Sequence, residues 1–219
     1  MTRLVIFDCD GTLVDSQANI CLAMEDCFTR AHLEPPDRHA IRRVVGLNLI
    51  QAMAVLRPDA DAEAHQLLAE DYKNAFHRLR GAGLVEEPLY PGIAELVARL
   101  DADGWLLGVA TGKSDRGLRM CLDRHGLSHH FVTLQTADHH PSKPHPAMLQ
   151  AAMSEARVGP EGTWVIGDTA FDIGMARAAG VRAIGVDWGY HEPEELVAAG
   201  AERVISSALE LMSVLEERS

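Results

Sequence analysis

The chain is 219 residues long, 47% hydrophobic and 24% charged, which supplies enough apolar material for a core domain with a sizeable insertion and excludes a disordered chain. Its formal charge is −12, from 32 acidic against 20 basic residues with no local basic patch, so nucleic acid and membrane surfaces are not expected partners. No stretch reaches the roughly 18 apolar residues of a membrane span.

The first expected element is a strand over Leu4-Val5-Ile6-Phe7, short and wholly apolar, as suits a strand buried on both faces of a parallel sheet. Leu4 to Phe7 is followed at once by Asp8, too early for a signal peptide, and a cytoplasmic location is expected. From about Ser16 to about Val85 no convincing strand appears, and the interval far exceeds an ordinary βα connection. It reads as an inserted helical domain. Its first helix is expected to begin near Ser16 as N-cap, with Ile20, Met24, Cys27 and Ala31 on one face. Further helical pieces are expected around Arg38 to Val45, Leu49 to Leu56 and Asp61 to Leu79, and the turn residues of Gly81-Ala82-Gly83 and Tyr90-Pro91-Gly92 mark the return to the core. Apolar runs at 105–110, 131–134, 164–166 and 181–186 then alternate with helical periodicity, the pattern of βαβ units and an open parallel sheet with helices on both faces. The fold class is α/β.

Open parallel sheets bind ligands beyond the carboxyl ends of their strands, and those positions carry Asp8-Cys9-Asp10-Gly11-Thr12, Thr111-Gly112-Lys113, Lys143-Pro144 and Gly167-Asp168-Thr169-Ala170-Phe171-Asp172. Alternation puts Asp8 and Asp10 toward one pocket, where one carboxylate can attack phosphorus and the other can protonate the leaving oxygen and later deprotonate water. Alone, Asp-x-Asp-Gly reads better as a plain turn. The company of Lys143 and Asp168 shifts the balance. A phosphoryl group entering so acidic a protein needs charge compensation, for which Mg²⁺ is the usual solution; Asp8, Asp168 and the backbone carbonyl of Asp10 are its expected ligands, with the Lys143 ammonium offsetting further charge. Thr111 is expected to donate to a phosphate oxygen with help from N–H groups of its turn. Asp172 either orients Lys143 or a metal-bound water, or caps its helix.

The four motifs together resemble the haloacid dehalogenase superfamily, specifically its phosphoglycolate-phosphatase-like branch: residues 8–16 its first motif, Thr111-Gly112-Lys113 its second, Lys143-Pro144-His145-Pro146 its third and residues 167–172 its fourth. The resemblance covers essentially the whole chain. It implies a Rossmann-like core of residues 1–15 and 86–219, a helical cap of residues 16–85 that closes over the substrate, and magnesium. It also implies a phosphatase acting on a small phosphorylated metabolite through a phospho-aspartyl enzyme: Asp8 the nucleophile, Asp10 the acid and base, Lys143 catalytic and phosphate-binding, Thr111 and Gly112 substrate-binding. Asp10 separates this chain from the superfamily's dehalogenases and transport ATPases. Gly112 departs from the asparagine usual in phosphoglycolate phosphatases. The alternatives are a phosphomutase of the β-phosphoglucomutase type, a pyrophosphatase, and a noncatalytic phosphate-binding regulatory protein. A monomer or homodimer is expected.

Other features read blandly. Gly108 to Ser114 is one residue short of a P-loop. The 11 histidines have no ligand spacing and are expected at the surface. Cys9, Cys21, Cys27 and Cys121 form no CxxC pair and are expected as reduced thiols, Cys9 being oxidation-sensitive.

Overall fold

The computed structural model describes residues 2–216. Its strands are β1 (Leu4–Phe7), β2 (Leu106–Thr111), β3 (Phe131–Thr136), β4 (Thr163–Gly167), β5 (Arg182–Val186) and β6 (Arg203–Ile205). They form one parallel sheet in the order β3-β2-β1-β4-β5-β6. The central β1 pairs with β2 on one side and β4 on the other, Phe7 lying opposite both Val109 and Ile166. The chain reverses direction of growth across β1, so the ends of β2, β1 and β4 frame a switch-point crevice.

Between β1 and β2 the chain forms α1 (Gln17–Arg30), α2 (Arg38–Arg43), α3 (Leu49–Leu56) and α4 (Ala62–Gly81), close to the expected helices. Asp37, Asn48 and Asp61 cap α2, α3 and α4, each carboxylate or amide oxygen accepting a backbone N–H of the first turn. Ser16 stands at the N-cap position of α1 but makes no capping bond; its hydroxyl is used elsewhere. These helices close around their own apolar cluster, in which Met24, Phe28, Ile41, Met53 and Tyr72 are buried. The two crossings to the sheet run side by side, with Val14 bridged to Leu89 and the Asp15 N–H donating to the Pro88 carbonyl at 2.8 Å.

The remaining helices are α5 (Ile93–Ala102), α6 (Asp115–Arg124), α7 (Ala147–Ala156), α8 (Ala170–Ala179), α9 (Pro193–Ala199) and α10 (Ala208–Glu216). Strand alternation sorts the core into two layers. Val5 and Phe7 face α5, α6 and α10, through residues such as Leu100, Leu122 and Leu211, while Leu4 and Ile6 face α7, α8 and α9 through Leu149, Ile173 and Leu196. Coverage of both faces explains why β1 is continuously apolar and buried at every position. Among the described residues no helix is long and apolar enough to cross a membrane.

Candidate active site

Asp8 is the first residue past β1 and is held by its neighbours on one side only. Its Oδ1 accepts from the Cys9 N–H at 2.6 Å and lies 2.9 Å from the Lys143 Nζ, while Oδ2 is buried with no hydrogen-bond partner. Lys143, from the loop between β3 and α7, is fully buried and also donates to Asp172 Oδ1 at 2.6 Å. Burial opposes the lysine's charge, but Asp172 and Asp8 outweigh it and raise its pKa above the ordinary value. The other oxygen of Asp172 accepts from the N–H and hydroxyl of Thr169, closing a capping box at the start of α8. One carboxylate thus bonds both Lys143 and the first turn of α8.

Asp168, past β4, completes the cluster. Thr12 Oγ1 donates to its Oδ1 at 2.8 Å and the Tyr190 N–H to its Oδ2 at 3.0 Å. Space around it is tight: a Cβ on Gly11 or on Gly189 would lie 2.2 Å from an Asp168 side-chain atom, and Gly11 has φ +87°. Oxygens of Asp8, Asp168 and Asp172 lie within 4.8 Å of one another, all buried. Burial, with neighbouring carboxylates adding to it and Lys143 opposing it, pushes the Asp8 carboxyl up to about 7, and burial likewise raises that of Asp168 well above its usual range. The ammonium of Lys143 pairs with Asp8 and Asp172, while Asp168 is held by Thr12 and the Tyr190 N–H. The excess negative charge and the orphaned Asp8 Oδ2 make an all-oxygen site short of a cation, which fits Mg²⁺.

The model of the haloacid dehalogenase-like hydrolase family matches residues 5–186. The chain belongs to that family. The haloacid dehalogenase-like chain is 35% identical to a probable phosphatase, IndB, of Dickeya dadantii over 97% of its own length and 93% of the relative's. It is 27% identical to a phosphoglycolate phosphatase of Vibrio parahaemolyticus over 97% and 96% of the two chains. A crystal structure of a predicted phosphatase from Clostridium acetobutylicum superposes with a TM-score of 0.88 at 26% identity, covering 99% of each chain.

Around the other aspartate of the haloacid dehalogenase-like motif lies a network that sequence reasoning missed. Asp10 Oδ1 accepts from Ser16 Oγ at 2.5 Å and from Lys113 Nζ at 2.7 Å, and Ser16 in turn lies 3.2 Å from the Tyr190 hydroxyl. Lys113 also pairs with Glu87 at 2.8 Å, and Arg80 reaches the same glutamate at 3.3 Å. Lys113 stood inside the second motif, and position i+2 from Thr111 was its only sequence signal. Thr111 is buried, and its Oγ1 accepts the Lys113 N–H at 3.2 Å, which leaves the hydroxyl proton to donate. At Gly112 a Cβ would come within 2.9 Å of the carbonyl oxygens of Gly46 and Leu47. The departure from asparagine thus coincides with direct contact between the turn after β2 and the backbone of the helical insertion.

Further ties join insertion and core. Arg43 forms a two-pronged pair with Glu195, both contacts at 2.5 Å, and the Asn48 N–H donates to Ser142 Oγ at 2.8 Å. Beside the Arg43 pair, His191 departs from the surface expectation. It is buried, its Nδ1 accepts the Ala170 N–H at 3.2 Å, and it meets Phe171 edge-on. Burial, followed by the charge of Arg43, lowers its pKa below 6.5, with Glu195 pulling the other way. The unfolded chain therefore takes up the proton first as pH falls, so stability is lost downward from about pH 6.5. Thermal unfolding followed from about pH 8 to about pH 5 is expected to show an acid-side loss that is smaller in His191→Asn, whose Oδ1 can still accept from Ala170. Equal losses would refute it. Cys9 also departs from expectation: it is fully buried, and its contact with Cys121 together with burial raises its thiol pKa well above 9.0, which makes it a poor target for oxidation. All four cysteines are free.

Proposed function

We propose that the protein is a Mg²⁺-dependent phosphatase that hydrolyses a small-metabolite phosphomonoester through a phospho-aspartate on Asp8, with residues 16–85 as a cap over a catalytic core of residues 1–15 and 86–219. The observation that carries this reading is the Asp8 carboxylate, fixed through Oδ1 by Lys143 and the Cys9 N–H while Oδ2 has no partner. A merely phosphate-binding protein has no need of a buried, half-engaged carboxylate where an anion must approach.

In this mechanism Asp8 attacks phosphorus, forming the O–P bond to its carboxylate as the bond to the alcohol oxygen breaks. Asp10 delivers a proton to that departing oxygen. Water then attacks the phospho-aspartate, giving a proton to Asp10 and releasing phosphate with Asp8 regenerated. Ser16 and Lys113 hold the Asp10 side chain over the pocket. Lys143 and Thr111 meet phosphoryl oxygens, and the turn at Gly112 brings backbone N–H groups to them. Asp8, Asp168 and the Asp10 carbonyl would hold Mg²⁺, which supplies charge neutralisation for the entering phosphoryl group; Asp172 positions Lys143.

Names of relatives make phosphoglycolate the reference compound for assay. Phosphate release from phosphomonoesters and from pyrophosphate, with and without Mg²⁺, tests the reading. Metal-dependent release from monoesters is expected; isomerised sugar phosphate without release would indicate a mutase instead, and no reaction in a folded, Mg²⁺-binding protein a noncatalytic role.

A further inference from the structure

A cavity of about 320 Å³ opens from Asp8 and Asp10 and runs beneath the helical insertion. Its lining on the insertion side is mostly apolar: the half-buried Leu49 and Phe76 and the edge of Tyr72 face it, backed by the buried Val44 and by Met24 and Ile41, which are buried in the insertion's own cluster. The rings of Tyr72 and Phe76 stand 5.9 Å apart at 46°, a tilted pair. The inner cation of this chamber is already committed, since Lys113 is bound by both Asp10 and Glu87. Arg80 is paired with Glu87 and Lys73 with Glu70. His77 and Arg116 also line the cavity, but at exposed positions. A carboxylate carried into the chamber by the leaving group would lose its water and meet apolar side chains, whereas an uncharged ring would gain contact area there.

From this we infer that the chamber is built for an uncharged, ring-bearing alcohol. The substrate is then the monophosphate ester of a planar, neutral ring system on an alcohol arm, as in an aryl-alkyl or a nucleoside monophosphate, and not of a small acid such as glycolate. The inference rests on the phosphatase reading above and adds to it the chemistry of the group that leaves. The alcohol oxygen sits by Asp10, and the ring lies against Tyr72, Phe76 and Leu49.

The test compares kcat/KM for phenethyl phosphate, uridine monophosphate, ethyl phosphate and phosphoglycolate with Mg²⁺ present. All four are esters of primary alcohols, so differences report binding of the leaving group more than intrinsic reactivity. At least one ring-bearing ester is expected to exceed both ethyl phosphate and phosphoglycolate by about tenfold or more, as burial of a ring-sized apolar surface provides. The ester that gains most identifies the source of the ring, hydrocarbon or nucleoside. In Phe76→Ala the ratio of the preferred ring ester to ethyl phosphate is expected to fall several-fold. In Leu49→Lys, which brings an ammonium to a half-buried position of the lining, phosphoglycolate is expected to gain on the ring ester. Phosphoglycolate or ethyl phosphate turned over as well as both ring esters would overturn the inference and leave the phosphatase reading standing. Release from none of the four or from any other monoester would overturn both.

Discussion

Asp8→Asn is expected to bind Mg²⁺ and substrate less tightly and to turn over at least about 10⁴-fold more slowly than the parent, while remaining folded. The amide preserves the shape of the side chain and an acceptor oxygen for Lys143 and the Cys9 N–H, which reach Asp8 Oδ1 at 2.9 and 2.6 Å. It removes the negative charge that makes the group a nucleophile. It also relieves the crowding of carboxylates around Asp168 and Asp172, so the variant should unfold at a denaturant concentration no lower than the parent's in the absence of metal. Phosphate release and urea unfolding, measured on the same preparation, check both halves. A variant that kept turnover within tenfold of the parent would remove Asp8 from the chemistry.

The second large effect concerns Lys143. Its ammonium is fully buried between Asp8 and Asp172, whose side chains are 1% and 0% exposed. Removing one partner of a buried charge cluster typically costs about 3–5 kcal/mol, because the remaining charges stay desolvated and unpaired. Lys143→Met, which keeps the length of the stem and loses the charge, is expected to lower metal-free stability by an amount in that range and to abolish turnover. Added Mg²⁺ should restore much of the stability but none of the turnover, since a cation can offset the carboxylates without replacing the donor to the phosphoryl oxygens. Equilibrium unfolding with and without Mg²⁺ measures this directly. Unchanged stability in the metal-free variant would mean that the lysine is dispensable to the cluster.

These two residues, with Asp10, Thr111 and Asp168, were legible in the sequence for a physical reason. Asp8, Asp10, Thr111 and Asp168 stand at or just past apolar runs, and in a parallel sheet the ends of adjacent strands converge, so their proximity could be read from β2, β1 and β4 as expected strands, with Lys143 on the loop after the neighbouring β3. The helical insertion was legible from the absence of strands over its length and from helical periodicity. The strand β6 was not, because Arg203-Val204-Ile205 is too short to give a period and starts with an exposed arginine. The partners of Asp10 were hidden for another reason. Ser16 and Lys113 meet it from the first crossing and the second motif, Glu87 of the second crossing holds Lys113 in turn, and only the side-by-side run of those crossings brings them together. Ser16 even carried a competing local explanation, helix capping, which the long-range contact displaced. His191 and Tyr190 belong to the same class: a loop past β5 folds back on Asp168, a contact set by packing around Gly189 and not by any local pattern.

The central claim is covalent catalysis on Asp8, and trapping the intermediate tests it most directly. In Asp10→Asn, the base for the second step is gone, while an aryl phosphate with an activated leaving group needs no acid in the first. That variant, mixed with Mg²⁺ and p-nitrophenyl phosphate, quenched in acid, digested and weighed by mass spectrometry, should show a burst of p-nitrophenolate and one phosphoryl group on the peptide that carries Asp8, at that residue. A phosphoryl group on a different residue, or p-nitrophenolate release through many turnovers without a burst and without any adduct, would contradict the account.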